Sequence, residues 1–268
     1  MMKYMLPTLT MAMLITVSVM AQSGHEGHDH SDDHAPELII TPISPNQLTA
    51  GEENEVMLFI QDKSAKPVDE SQLEIIHTKP VHLLIIDPSL TDYHHEHPTQ
   101  TATGQFMFTF TPQTACSYRA WADIKLKGAH QHYIPIELAG AETCTMPFEK
   151  IVNLEASSQG YDFKLTLDGN LKAGAEVMAS LTISQAGKPV NSLQPVMGAF
   201  AHMVGFYEDY ESIAHIHPMG AEPTEETQRG GPTLRCQIAP EQAGYLKIFA
   251  QVQIDGKQIF APFGLMVE

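Results

Sequence analysis

The sequence predicts an all-β protein built from two tandem immunoglobulin-like β-sandwiches, preceded by a signal peptide and a disordered, His-rich tail. Short segments rich in β-branched and aromatic residues recur along the chain, and Pro, Gly, Asp or Asn bound them. No segment of useful length has the 3.6-residue apolar period of an amphipathic helix. The chain also repeats itself at an interval of about one domain, which indicates a duplicated domain rather than a solenoid.

The N-terminal region has the features of an export signal followed by a polar tail. Residues 1–21 have a single charge at Lys3, an apolar run from Met11 to Met20 and a small-residue cleavage site ending at Ala21. We therefore expect a periplasmic or secreted protein without a membrane span after cleavage, an uncleaved anchor being the alternative. Residues 22–36 are predicted to be a disordered tail whose imidazoles chelate ions weakly or are merely solvated: His25, His28, His30 and His34.

The repeat is visible in aligned blocks of sequence. Residues 73–82 match residues 193–202, and the same offset of 120 carries His95-Glu-His97-Pro98 onto His215-Ile-His217-Pro218. The alignment divides the chain into a first sandwich at 37–139, a linker at 140–159 and a second sandwich at 160–268. The strands predicted within them span residues 55–61, 81–86, 105–110, 130–138, 161–167, 176–183, 199–207, 244–254 and 258–267.

The composition limits what the protein binds. Lys and Arg number 15 against 32 Asp and Glu, a formal net charge of −17. This balance argues against nucleic acid and anionic lipid as partners, because both need clustered basic residues. The sequence contains 14 histidines, mostly in clusters, and clustered imidazoles indicate a metal ion as the partner.

The first histidine cluster follows from the register of one hairpin. If the turn after Val81–Ile86 is centred between Ser89 and Leu90, His82 lies across from His97, and His95 shares the same face. Opposed side chains have Cβ atoms about 5 Å apart, so three imidazoles converge. Three His ligands with an open position suit copper or zinc, although a one-residue slip would separate them.

The second copy repeats this spacing about a turn between Asp209 and Tyr210, which brings together His202, His215 and His217. Weaker candidates are His77 and its counterpart Met197, together with Met219. Thioether ligands favour copper, Cu(I) especially, whereas Met more often fills a core. A further pair, His130 and His132, has no counterpart in the second copy and is assigned a structural role.

The cysteines indicate one disulfide and one free thiol in an oxidising compartment. Cys116, Cys144 and Cys236 form no Cys-x-x-Cys motif, so thiol redox catalysis has no support. Cys116 and Cys144 are nearest in sequence, but all three pairings stay open.

The sequence resembles the YtkA-like and CopC-like group of exported immunoglobulin-fold proteins. The resemblance rests on Lys66-Pro-Val and Lys188-Pro-Val, then His82 or His202, then His-x-His-Pro at 95–98 or 215–218. It implies copper or other heavy-metal handling outside the cytoplasm, with an envelope metal-transport or acceptor protein as partner. The amino-terminal His ligand of CopC-type sites is missing, because predicted cleavage leaves Gln22 first.

Three functions compete at this point. The leading one is a non-catalytic, exported copper buffer or delivery protein, with zinc as the alternative ion. The second is a structural or interaction module in which the histidines brace a hairpin. The third is a cupin-like metalloenzyme, suggested by His215-x-His217 followed by Glu222, but the required Gly spacing and a later His are missing.

Overall fold

Strands account for nearly all of the regular structure, as the sequence predicts. The computed structural model describes residues 38–141, 144 and 148–268, which belong to one compact unit, Pro36–Glu268. The predicted signal peptide and tail, with His25, His28, His30 and His34, lie outside the described residues. The first half contains, in order, β1 Leu38–Ser44, β2 Asn54–Asp62, a 3₁₀ turn Glu70–Gln72, β3 Val81–Ile86, β4 Tyr93–Glu96, β5 Thr99–Ala102, β6 Gln105–Phe110, β7 Tyr118–Lys125 and β8 Gln131–Leu138.

The second half continues with nine strands. They are β9 Glu155–Ser158, β10 Tyr161–Leu167, β11 Val177–Gln185, β12 Lys188–Pro189, β13 His202–Tyr207, β14 Ile213–Met219, β15 Thr233–Ile238, β16 Gly244–Ile254 and β17 Lys257–Val267. No helix among the described residues is long and apolar enough to cross a membrane.

The first sandwich has two four-stranded antiparallel sheets, in the orders β1-β2-β6-β5 and β4-β3-β7-β8. Successive side chains of a strand point to opposite faces of its sheet, so every second side chain lies in the space between the two sheets. Val56 and Leu58 from one sheet meet Leu83 and Ile85 from the other in this core, and Phe106 closes it. Burial of these apolar side chains holds the sandwich together.

The second sandwich repeats that strand order. Strands β10, β11 and β15 correspond to β1, β2 and β6, while β13, β16 and β17 correspond to β3, β7 and β8. Strand β14 pairs with β13 through its first half and with β15 through its second, so the two sheets join into one nine-stranded sheet. Its core includes Phe163, Leu181, Ile248 and Phe263. The chain is therefore two tandem immunoglobulin-like β-sandwiches.

The boundary between the halves differs from the expected linker at 140–159. Strand β9, residues 155–158, lies inside that span and pairs with β10 through a tight turn at Gln159 and Gly160. Both turn residues have positive φ, at 49° and 83°, the conformation that two-residue hairpins need. The strand reads Glu-Ala-Ser-Ser, a short polar edge without apolar alternation, so the sequence pattern does not indicate it.

The two sandwiches pack against each other through their outer faces. Leu84 and Ile86 of β3 and Trp121 of β7 meet Phe206 of β13 and Phe249 of β16 in a separate apolar cluster, here called the junction. Strand β3 is consequently buried on both faces, because its odd-numbered residues face its own core and its even-numbered ones face the junction. The His82 side chain lies on the junction side.

A disulfide joins Cys116 and Cys144, which selects one of the three pairings open to the sequence. It links the start of β7 to the segment after β8. Cys236 is a free thiol, buried in the second core, and burial raises its pKa to about 11. A thiol held in its neutral form is a poor nucleophile, so Cys236 acts as a small core residue.

Candidate metal centre

The hairpins have the predicted registers. Leu84 pairs with His95 and Leu83 with Glu96 in the first copy, which confirms the predicted centre of the turn. Val204 pairs with His215 in the second copy, and this also agrees with the prediction. His82 precedes Leu84 by two residues and His97 follows His95 by two, so the three imidazoles of the first copy share one face of β3 and β4.

His82, His95 and His97, here called the histidine trio, bring three ring nitrogens together. His82 Nδ1 lies 3.2 Å from His95 Nε2 and 3.1 Å from His97 Nε2. All three nitrogens lie within 4.8 Å of one another. Two nitrogens bound tetrahedrally to one ion at about 2.0–2.1 Å stand about 3.3–3.4 Å apart. The two distances from His82 Nδ1 are therefore close to the ligand spacing of a metal site.

Hydrogen bonds on the outer side of the trio determine which ring nitrogens carry a lone pair. His82 Nε2 donates to the Ile76 carbonyl at 2.8 Å, which leaves Nδ1 without a proton in the neutral ring. His95 Nδ1 donates to Gln251 Oε1 at 2.7 Å, which leaves Nε2 without one. Two lone pairs thus face each other across 3.2 Å, where a bound cation relieves their repulsion.

Burial keeps the rings neutral. It lowers the pKa of His82 to about 4 and that of His97 to about 3, and it lowers the pKa of His95 well below 6.5. Mutual repulsion among the rings adds to this effect. Neutral imidazole is the form that can bind a metal, so at neutral pH all three rings are in that form.

His202 of the second copy lies close to the first copy's trio. The His202 ring lies 5.1 Å from the His77 ring and 6.4 Å from the His95 ring, measured between centroids. His202 Nε2 donates to the carbonyls of Val196 and Met197 at 2.9 and 3.2 Å. Among the side chains that the structure describes, only the first copy's trio converges at ligand distance.

The remaining predicted ligands lie around this centre or away from it. His77 is its neighbour, with its ring centroid 6.2 Å from that of His82. Met197 offers its backbone carbonyl to His202, and Met219 lies at the end of β14 opposite Arg235. His217, also on β14, pairs with Gln237 of β15. The His215 side chain lies outside the described part of the structure, although its backbone belongs to β14.

A strained turn at residues 76–79 provides the hydrogen-bond acceptor for His82. Ile76 and Lys79 exchange two backbone hydrogen bonds, and His77 and Thr78 between them have φ of 46° and 71°. The second copy has the same turn with Met197 and Gly198. A β-branched residue such as Thr78 is a rare occupant of this region, so the surrounding structure imposes the conformation. The turn presents the Ile76 carbonyl to His82.

The polar neighbours within the His-rich hairpin belong to the opposite face. His94 contacts Asp92 at 3.0 Å and lies against the rings of Phe110 and Tyr118. Glu96 pairs with the core residue Leu83, and burial raises the pKa of its carboxyl to about 7. The trio is therefore a set of neutral nitrogen ligands without a carboxylate.

Gln251 is a polar neighbour of the trio that the histidine motifs in the sequence do not indicate. It belongs to β16 of the second sandwich, is 1% exposed, and reaches across the junction to His95. Two signals could have identified it. It is a polar residue inside the apolar strand Gly244–Ile254, and it occupies the repeat position of Asp123, which is also buried. Buried polar groups need partners, so such positions indicate a polar contact.

Without metal, the protein is expected to lose stability as the pH falls from about 6.5 to about 4. Burial lowers the pKa of His82 and of His202 from 6.5 to about 4. Between these values the unfolded chain binds protons that the folded chain does not, so the free energy of unfolding decreases toward acid. Above about pH 6.5 these rings are neutral in the folded and the unfolded chain, so they cause no loss of stability there.

Melting temperatures measured with chelator between about pH 7 and pH 4 check this expectation. The variant His202→Gln, which removes one of the titrating rings, should show a shallower decline. An equal decline in wild type and variant would contradict the assignment to buried histidines.

The comparisons with known proteins identify a domain family. Residues 39–139 and 156–268 match a family model described as a domain of unknown function, DUF8832, and the two matches coincide with the two sandwiches. No curated protein matches the chain. These findings do not test the resemblance to YtkA-like and CopC-like proteins, which stays a prediction.

Several solved structures are distantly similar. A Salmonella α2-macroglobulin is 11% identical with a TM-score of 0.26, over 87% of this chain and 15% of that one. The D00-D0 domain of intimin is 9% identical with a TM-score of 0.25, over 86% and 100%. Invasin, a bacterial integrin-binding protein, is 11% identical with a TM-score of 0.24, over 84% and 39%. TM-scores this low carry no inference about function.

Proposed function

Because the chain belongs to the DUF8832 family, whose description gives no function, we propose from the geometry of the centre that it is a non-catalytic metal-binding protein. Copper is the proposed ion, bound by the histidine trio. The protein would buffer copper or deliver it to an acceptor protein in the bacterial envelope.

One observation carries the proposal: the lone pairs of His82 Nδ1 and His95 Nε2 face each other 3.2 Å apart, each fixed by a hydrogen bond on the far side of its ring. A hydrogen-bonded brace would place a donor against an acceptor at this point. Outer hydrogen bonds to a carbonyl or amide oxygen are also the usual support of metal-binding histidines.

The ligand set supports copper over other divalent ions. Imidazole nitrogens suit copper and zinc, and Cu²⁺ stands highest in the general order of affinities. The trio is neutral and His82 is only 3% exposed, so an ion bound there brings its own uncompensated charge. Desolvating a charge is costly, which favours monovalent Cu(I) over Zn²⁺.

An exported location agrees with the chemistry of the chain. The Cys116–Cys144 disulfide is typical of the periplasm and of secreted proteins. The predicted signal peptide at residues 1–21 points the same way. Copper buffering and delivery outside the cytoplasm is also what the YtkA-like and CopC-like resemblance implies.

Titration of the full chain with its tail histidines replaced by Asn (His25, His28, His30 and His34) tests the proposal. We expect one tight equivalent of Cu(I), weaker binding of Zn²⁺, and a melting temperature that rises with metal and returns with chelator. The control His130→Ala, which replaces an exposed histidine, should leave the titration unchanged.

Two results would count against it. Absence of tight binding together with a chelator-insensitive melting temperature would favour the structural brace, in which His97 Nε2 donates to His82 Nδ1 at 3.1 Å. Metal-dependent turnover of dioxygen or a phenol would favour the metalloenzyme instead.

A further inference from the structure

We propose that Gln251 of the second sandwich is a positioning residue for the metal centre of the first, so that the trio is complete only when the two sandwiches are docked. This inference rests on the proposed function and extends it from the three ligands to the junction. Gln251 itself would not contact the ion.

The Gln251 amide is held at both ends. Its Nε2 donates to Gln258 Oε1 at 2.9 Å, which turns its Oε1 toward the first sandwich. That oxygen accepts from His95 Nδ1 at 2.7 Å. In this orientation the amide oxygen accepts from the imidazole, which favours the tautomer with the proton on Nδ1 and the lone pair on Nε2.

The outer hydrogen-bond partners of His82 and His95 belong to different sandwiches. His82 donates its outer hydrogen bond to the carbonyl of Ile76, which lies six residues away in the same sandwich. The partner of His95 lies 156 residues away along the chain, on a strand packed across the junction. His95 is therefore the ligand whose tautomer depends on how the two halves sit together.

Gln251 lies in the middle of the sheet, where the strands on both sides of β16 fix its backbone. Gln251 pairs with His202 on one side and with Phe260 on the other, so both neighbouring strands hold its backbone. Phe249, two residues earlier on the same face, packs in the junction against Tyr93, the residue at the start of β4. Strands β4 and β16 thus provide both the apolar contact of Tyr93 with Phe249 and the hydrogen bond of His95 to Gln251.

Three substitutions separate the positioning role from a packing role. Gln251→Leu keeps most of the side-chain volume and removes the acceptor, and Gln251→Glu keeps an acceptor. Gln253→Ala, on the same strand and partly exposed, is the matched control. Loss of an outer partner weakens metal binding by about 10–100-fold, so we expect this loss in Gln251→Leu, wild-type or tighter binding in Gln251→Glu, and no change in the control.

A second readout does not depend on metal. Nitrogen-15 NMR of the histidine rings in the metal-free full chain should show His95 protonated on Nδ1 in wild type and in Gln251→Glu. The Gln251→Leu protein should show a tautomer mixture. If Gln251→Leu does not fold, Gln258→Ala replaces it, since that residue is exposed and its removal frees the amide to rotate.

The outcomes distinguish the two proposals. If Cu(I) binds and His82→Ala abolishes binding, while Gln251→Leu binds like wild type with an unchanged tautomer, the positioning role is refuted and the metal site stands. If wild type binds no metal, the proposed function fails. The tautomer of His95 then still decides the inference, because an unchanged ring in Gln251→Leu overturns it.

Discussion

Replacing His82 by Ala should lower the affinity for Cu(I) by more than about 100-fold, because the change removes a ligand, whereas loss of an outer partner alone costs about 10–100-fold. His82 Nδ1 is the atom common to both short nitrogen–nitrogen distances, at 3.2 Å to His95 and 3.1 Å to His97. The remaining two nitrogens would have to bind the ion without the ring that lies next to both of them. Competition with a Cu(I) chelator measures the change.

His202→Ala is the informative companion to His82→Ala. His202 Nε2 is engaged by two backbone carbonyls, and its ring lies near the trio without joining it. We therefore expect a smaller loss, of about 10-fold or less, as for an outer-shell residue. Equal losses in the two variants would mean that His202 is itself a ligand and that the trio is the wrong set.

Phe206→Ala should lower the free energy of unfolding by about 3–5 kcal/mol, the cost of truncating a well-packed core aromatic. Phe206 is 1% exposed, and its ring centroid lies 5.4 Å from Tyr93 and 5.5 Å from Trp121, both in the other sandwich. The cavity would open in the junction between the two halves. Urea or guanidinium unfolding followed by circular dichroism measures the loss.

The control for this prediction is Ile75→Ala. Ile75 is 60% exposed, so its truncation should change the free energy of unfolding by no more than about 0.5 kcal/mol. If Phe206→Ala were as mild as this control, the junction would contribute little to stability. The coupling between the sandwiches would then rest on the polar contacts alone.

The hairpin registers could be predicted because each hairpin has an obvious turn and a period of two. Once the turn between Ser89 and Leu90 is placed, the pairing of Leu84 with His95 follows from counting. The proximity of His82, His95 and His97 then needs no knowledge of the rest of the fold. Local geometry therefore brings the three rings to one face, whereas the outer partner of His95 comes from the other sandwich.

The junction could not be derived in this way, because it depends on which outer faces meet. One signal was available: Val81–Ile86 is apolar at nearly every position, which indicates a strand buried on both sides, yet nothing in it specifies the partner surface. The contact between His95 and Gln251 was invisible for the same reason.

The tandem arrangement has a consequence for dilute conditions. Two separate chains would have to meet in solution before Gln251 could face His95, and their encounter would depend on protein concentration. Joining the sandwiches in one chain converts that encounter into an intramolecular step, with an effective concentration on the order of millimolar for a short connection. The contact between Gln251 and His95 therefore does not depend on protein concentration, which the proposed capture of scarce metal ions would require.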